Sequence, residues 1–300
     1  MSAPVVFFGS GPVAAKSLRL LNEHRQIEAV ITKSKASHHR GSVPVLETAT
    51  ELKIPVIEVG SKSELDEKLK NSNLQSKLGI LIDFGIIVSN NVINYFPLGI
   101  INSHFSLLPE WRGADPITFA VLSGQKVTGV SLMLLVEKMD EGPLLAQANL
   151  DIDNTITTPI LTDKLIHISD MLLKKNIDKY MNGTLITKPQ DAKVKATYSY
   201  KLAKENGIVD TSKTAIQIDR EIRAYQGWPG SKFTFGNLET TITKAHVLEC
   251  ELRPGEIELS KNSLIIGCSK DGISIDSIKP AGKSEMPIAS FIAGYRNRLS

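Results

Sequence analysis

Asn102 and His104 stand two positions apart in the run Ile100-Ile101-Asn102-Ser103-His104. In an extended segment that spacing puts both side chains on one face. An amide NH2 there can donate to an oxyanion, while an imidazole donates or takes a proton near neutral pH. Asp140 follows 36 positions after His104, in the turn Met139-Asp140-Glu141-Gly142-Pro143. A buried carboxylate beside a histidine fixes its tautomer and favours its charged form. Between them lie Ser106-Leu107-Leu108-Pro109 and Arg112-Gly113, a loop with an apolar wall and a rigid bend. Singly, each residue has a bland role, a satisfied polar group or a turn; the ordered set is what points to chemistry.

An α/β sheet must position these residues. Residues 4–9 read as a buried strand, turned by Gly9-Ser10-Gly11-Pro12 into a helix over 12–23, and residues 28–32 form a second apolar strand. This order predicts a parallel sheet. No third glycine follows at the dinucleotide spacing and no acid ends the second strand, which argues against NAD. Further expected elements are helices over 43–52 and 62–70, a strand at 56–57, a central strand over 78–84 and the strand 99–103 that delivers Asn102 and His104. Ligands of open α/β sheets bind beyond the carboxyl ends of strands, which marks residues 84–88 and the segment after His104. A helix over 117–123, strands over 128–136 and 144–150, and an amphipathic helix over 157–179 complete a first domain, 1–184. Residues 185–205, polar and lysine-rich, read as a linker. From 206 the period changes: a short helix over 215–224, then five short strands over 231–278 with Gly and Asn turns, suggest a small β-barrel.

The chain has 300 residues, 42% hydrophobic and 22% charged, an ordinary composition that can bury a full core. Cys250 and Cys268 lack metal-ligand spacing and read as core or half-exposed thiols, with a disulfide between them as the alternative. No apolar run is long enough for a membrane span, and no basic leader precedes the first strand, so a cytoplasmic protein is expected. The net charge of +3 does not by itself argue for nucleic acid. Residues 29–46 nevertheless hold Lys33, Lys35 and Arg40 without an acid, and residues 188–204 hold five lysines against Asp191.

The ordered set Asn-x-His, Ser-Leu-Leu-Pro, Arg-Gly-x-x-Pro and Met-Asp-x-Gly resembles the signature of the folate-dependent formyltransferases, most of all the branch that acts on methionyl-tRNA. Ile218-Asp219-Arg220, Trp228-Pro229 and Lys279-Pro280-Ala281-Gly282-Lys283 extend the likeness through the second half. The resemblance implies a Rossmann-like formyltransferase domain followed by a C-terminal OB-like β-barrel that holds tRNA. It implies 10-formyltetrahydrofolate as formyl donor, initiator methionyl-tRNA as acceptor, a monomer, and no metal. Asn102, His104 and Asp140 would be the catalytic residues. Phe84, Gly85, Ile86, Ile87 and Val88 would bind folate with Ser106, Leu107, Leu108 and Pro109. Lys33, Lys35, Arg40, Lys193, Lys195, Arg296 and Arg298 would meet tRNA.

The chain departs from the family pattern at Gly9-Ser10-Gly11-Pro12, at Phe84-Gly85 and Val88-Ser89, and in a short, weakly basic loop around Arg40. Residues 196–300 carry 14 Lys and Arg against 12 Asp and Glu, a modest excess for a tRNA cradle. Acceptors that the signature leaves open are glycinamide ribonucleotide, whose enzymes use Gly-x-Gly for phosphate but are usually single domains, and an aminosugar nucleotide. A nucleic-acid-binding module with an inert first domain is disfavoured by the intact Asn102, His104 and Asp140.

Overall fold

The computed structural model describes residues 3–35 and 43–296, which form two compact units. One gathers the chain up to Pro116 with Val127–Asp151 and Thr162–Ser199; the other gathers Ile117–Lys126, Ile152–Leu161 and Tyr200 onward. In chain order the elements up to Ser199 are β1 (Val5–Phe8), α1 (Pro12–His24), β2 (Ile27–Lys33), α2 (Pro44–Glu51), β3 (Val56–Val59), α3 (Lys62–Lys70), β4 (Gly79–Leu81), α4 (Asn90–Tyr95), β5 (Ile100–His104), β6 (Arg112–Gly113), α5 (Pro116–Ser123), β7 (Val127–Leu134), β8 (Leu144–Asp151), α6 (Thr158–Met181) and β9 (Tyr198–Ser199).

Seven strands make one sheet in the order β3-β2-β1-β4-β5-β7-β8. The first five run parallel; β7 and β8 are antiparallel. β1 and β2 are fully or largely buried, as unbroken apolar runs of a covered parallel sheet must be. One face packs Val6, Phe8, Ile31, Leu65, Leu69 and Phe96 into a core cluster. The strand order reverses between β1 and β4, so the loops after these strands flank a topological switch point. β4 is shorter than the expected 78–84 strand. Asp83 takes a left-handed φ of +50° and Gly85 one of +72°, and the chain turns there although Ile82 and Phe84 on either side of Asp83 continue the apolar run. The stretch read as a linker is tied down: β9 pairs with β6, and Lys188 pairs with Leu144.

The remaining elements are α7 (Ala215–Ala224), β10 (Ser231–Phe235), β11 (Leu238–Leu248), β12 (Ile257–Leu259), β13 (Leu264–Gly267), β14 (Gly272–Pro280), β15 (Met286–Pro287) and α8 (Ile288–Tyr295). The strands form an antiparallel sheet in the order β10-β11-β14-β13-β12, with β15 also on β14. This open order makes the expected barrel a half-barrel. Register shifts between Ile242 and Ala245 bend β11. Ile218, Ile222, Phe235, Ile275, Phe291 and Ile292 meet in its core, which α7 and α8 help to fill. Both cysteines are free thiols; burial pushes the Cys268 thiol up to about 11. No helix among the described residues is long and apolar enough to cross a membrane.

Candidate active site

β5 presents opposite faces to two different surroundings. Ser103 turns one way, its hydroxyl 2.6 Å from that of Ser169 on α6. Asn102 and His104 turn the other way, where the loop after β7 brings Asp140 against them. Asn102 Nδ2 donates to Asp140 Oδ1 at 3.5 Å, and His104 Nδ1 stands 3.8 Å from the same oxygen. Asn102 and His104 are buried and Asp140 nearly so. The second carboxylate oxygen is held more tightly, accepting the Gly113 N–H at 2.7 Å.

This geometry fixes the histidine's protons. His104 Nε2 lies 2.9 Å from the Trp111 carbonyl oxygen. A carbonyl only accepts, so Nε2 carries a hydrogen and the neutral ring is bare at Nδ1. The bare nitrogen faces a carboxylate across a gap too long for a hydrogen bond. Proton uptake at Nδ1 would convert that gap into an ion pair with Asp140. The site therefore sets an imidazole and an amide donor side by side, a pair of groups that can stabilise a developing oxyanion.

Glycines allow the close packing. Gly113 has φ +114°, and a Cβ there would lie 2.1 Å from the Ser199 carbonyl oxygen. A Cβ on Gly142 would lie 1.7 Å from the carbonyl oxygen of Leu134. Ser131 of β7 organises the loop after His104. It donates to the Ser106 carbonyl at 2.6 Å and accepts from Leu108 N at 3.0 Å, while Gln147 Nε2 donates to Ser131 Oγ at 2.9 Å and to the Leu108 carbonyl at 3.0 Å.

The residues expected at the donor site fall into two groups. Ser106, Leu108 and Pro109 are buried, with the Ser106 hydroxyl donating to the Glu110 carbonyl, and Leu107 is half-buried. Of 84–88, Phe84 is buried edge-on to Phe8, Ile86 and Val88 are half-buried, and Ile87 is 69% exposed. Gly85 has open space around it. Ser10 ties the switch-point loops together: its hydroxyl donates to the Phe84 carbonyl at 2.8 Å and accepts from Lys33 N at 3.1 Å. Next to this loop, Asp83 has its carboxyl pushed up to about 6 by surrounding protein and then by Asp115, opposed by a backbone hydrogen bond from Ala14. The Asp83 side chain keeps contact with solvent even so.

Lys33 and Lys35 are exposed at the end of β2, Lys193 and Lys195 are exposed in the segment before β9, and Arg296 is exposed after α8. Arg40 and Arg298 lie outside the described residues. A hollow of about 750 Å³ belongs to the second unit and runs past α7, β11 and β14. Two pairs lie along it: Arg223 with Asp219 at 2.9 Å and His246 with Asp276 at 3.0 Å.

Sequence reasoning missed the backbone partners of the site, the Trp111 carbonyl and the Gly113 N–H. Main-chain groups leave no compositional trace, and only the Arg-Gly pair hinted at a tight approach.

Two family models match this chain: the formyl transferase model over residues 4–177 and the formyl transferase C-terminal domain over 201–296. The chain is 32% identical to the methionyl-tRNA formyltransferase of Roseiflexus castenholzii, over 99% of this chain and 97% of that one. It is 32% identical to the protein of the same name from Thermodesulfovibrio yellowstonii, again over 99% and 97%. Among solved structures, an N-formyltransferase from Helicobacter canadensis, in complex with folinic acid and dTDP-3-aminofucose, superposes with a TM-score of 0.68. It is 20% identical and covers 93% of this chain and 100% of its own, a likeness of fold. With both halves of the sequence matched, the chain belongs to the formyl transferase family.

Proposed function

We propose that this enzyme transfers the formyl group of 10-formyltetrahydrofolate to the α-amine of initiator methionyl-tRNA, giving the formylated aminoacyl-tRNA of translation initiation. The observation that carries the chemistry is the convergence of Asn102 Nδ2 and His104 Nδ1 on one oxygen of Asp140. The acceptor rests on the name shared by relatives that match nearly the whole chain. In this reading the donor lies against Gly85 and the exposed Ile87, with Ser106 to Pro109 as the supporting wall.

The amine attacks the formyl carbon directly. Asn102 donates its amide hydrogen to the oxygen that gains charge, and protonated His104 adds its positive charge beside it. Asp140 faces the imidazolium and is aimed by the Gly113 N–H that it accepts. The Asp140 carboxylate takes the proton lost by the amine and passes it to N10 of the folate as the bond between N10 and the formyl carbon breaks, which releases tetrahydrofolate. Removing one oxyanion donor of this kind lowers kcat by about 10²–10³.

Residues 1–184 would be the catalytic domain, 185–205 its linker and 206–300 the domain that holds tRNA, an arrangement supported by the family matches at 4–177 and 201–296. Lys33, Lys35, Arg40, Lys193, Lys195, Arg296 and Arg298 would meet phosphates, so binding should weaken steeply with salt. A cytoplasmic monomer fits this role. A second reading, an aminosugar nucleotide as acceptor, is favoured by one observation, the dTDP-3-aminofucose held by the Helicobacter canadensis protein of the same fold.

The test is formyl transfer from 10-formyltetrahydrofolate to charged initiator tRNA, with elongator methionyl-tRNA, free methionine, glycinamide ribonucleotide and a dTDP-aminosugar in parallel. Turnover on the initiator alone is expected. Turnover on a small amine in its place would move the acceptor and leave the Asn102, His104 and Asp140 assignment standing.

A further inference from the structure

The segment 188–199 crosses the active-site loops and hydrogen-bonds to both partners of His104. At one end, Gln190 Nε2 donates to the Asp140 carbonyl at 2.6 Å and to the Gly142 carbonyl at 3.0 Å. Its own side-chain oxygen accepts from Arg112 Nη2 at 2.7 Å, and Arg112 Nη1 pairs with Glu141 at 3.1 Å. At the other end, Thr197 Oγ1 accepts the Trp111 N–H at 2.8 Å, and the Thr197 carbonyl accepts from Arg112 N at 2.9 Å. Lys188 and Leu144 exchange backbone hydrogen bonds at 2.7 and 2.8 Å, which anchors the segment beside the Asp140 turn.

The backbone explains why such a clamp is needed. Asp140 and Trp111 both adopt φ +53°, a left-handed conformation that side-chain-bearing residues enter at a cost. Such a conformation persists only where its surroundings over-determine it. Asp140 carries the carboxylate that faces Asn102 and His104, and Trp111 carries the carbonyl that fixes the His104 tautomer. Gln190 binds the strained residue itself, through its carbonyl, and locks the next carbonyl but one. It bridges from there to Arg112, which stands between Trp111 and Gly113. A single amide thus holds together the two loops that orient the imidazole.

We propose that Gln190 is a positioning residue for formyl transfer, fixing the Asp140 turn so that its carboxylate stays against His104 and Asn102. The inference rests on the reading of Asn102, His104 and Asp140 as the reacting site. It extends that site into a stretch whose composition reads as a linker. The role belongs to the amide hydrogens: two carbonyl oxygens need a donor, and a carboxylate of the same size offers them none.

The experiment measures kcat, and KM for donor and acceptor, in the full chain for Gln190→Ala, Gln190→Glu and Gln190→Met, each alone and with Asp140→Asn. Thermal unfolding of every variant checks that it is folded. If the alanine variant does not fold, the methionine variant keeps the length without the donor. The alanine variant should lose about 10–100-fold in kcat, the range found when supporting groups are removed. Both KM values should stay within about threefold, since no contact with either substrate is lost. Gln190→Glu should be no better than Gln190→Ala. In the Asp140→Asn background the further loss from Gln190→Ala should shrink to about threefold or less, because the group it aims is already gone. Near-wild-type kcat in Gln190→Glu, or losses that simply multiply in the double variant, would overturn the proposal and make Gln190 a filler. An inactive Asp140→Asn with a fully active Gln190→Ala would overturn it while leaving the site assignment intact. Wild-type turnover in Asp140→Asn would bring down the site assignment itself, and this inference with it.

Discussion

The face of β5 and the groove of the half-barrel hold their polar groups by opposite means. On β5, His104 and Asp140 are gripped by main-chain atoms, the Trp111 carbonyl and the Gly113 N–H, and enclosed by glycines that admit no side chain. In the groove, polar side chains grip one another: Arg223 holds Asp219, His246 holds Asp276, and Thr243 donates to Glu285 at 2.9 Å. A main-chain partner is fixed in place by the fold; an exposed side-chain partner must give up rotamer freedom to stay. The first arrangement suits chemistry that tolerates no displacement, and the second suits a broad surface that adapts to what it meets. Arg223 is an intermediate case, since it also donates to the Ile156 carbonyl at 3.0 Å.

The largest expected difference is in turnover. Asn102→Ala and His104→Ala should each lower kcat by about 10²–10³ with donor binding little changed. His246→Ala should change kcat by less than about threefold, because an exposed pair of this kind contributes little. Steady-state kinetics with both substrates varied would read the contrast. Near-wild-type turnover in both β5 variants would erase it and remove the assignment.

The same contrast can be put to the glycines by thermal unfolding. Gly142→Ala sets a methyl group against the Leu134 carbonyl, a main-chain atom that cannot swing aside. It should destabilise by about 2–4 kcal/mol, the range of severe backbone and overpacking changes. Gly282→Ala, in the second unit, meets open space and bears only the cost of φ +71°, about 1 kcal/mol. Equal losses in the two variants would mean that the Asp140 turn relaxes freely, and the β5 face would no longer be the rigid member of the pair.

How much of this could be read in the sequence follows from the kind of atom involved. The shared face of Asn102 and His104 was legible because a two-residue period is a property of side chains. The strand positions of the first sheet followed from apolar runs broken by Gly and Pro; the antiparallel setting of β7 and β8, where a parallel sheet was expected, did not. Gln190 was not legible: in Lys188-Pro189-Gln190 it looks like any solvated residue of a connecting stretch, and its partners are the carbonyls of Asp140 and Gly142. Helix α8 was missed although Ile288, Phe291 and Ile292 have helical spacing. It starts after Pro287 with no side-chain cap to announce it. β4 ended early because Asp83 turns left-handed inside an otherwise continuous apolar run.

Asp83 also supplies the finest test, since it is a solvent-touching carboxylate set in the rigid first unit. Crowding by protein, and then the neighbouring Asp115, raise its carboxyl to about 6 from an ordinary 3.8. Below about pH 4 the group is protonated in both the folded and the unfolded chain, and it costs nothing. Between pH 4 and 6 the unfolded chain releases the proton that the folded chain keeps, so stability falls as pH rises. Above pH 6 both states are ionised and the loss is complete. Its solvent contact reduces that loss to about 1 kcal/mol. Asp83→Asn keeps an acceptor for Ala14 N–H but has no charge to desolvate. Its Tm should exceed that of the wild type by about 2 °C above pH 6, with the gap closing towards pH 4. A gap that stays constant across this range would show that neither the surrounding protein nor Asp115 perturbs this carboxylate.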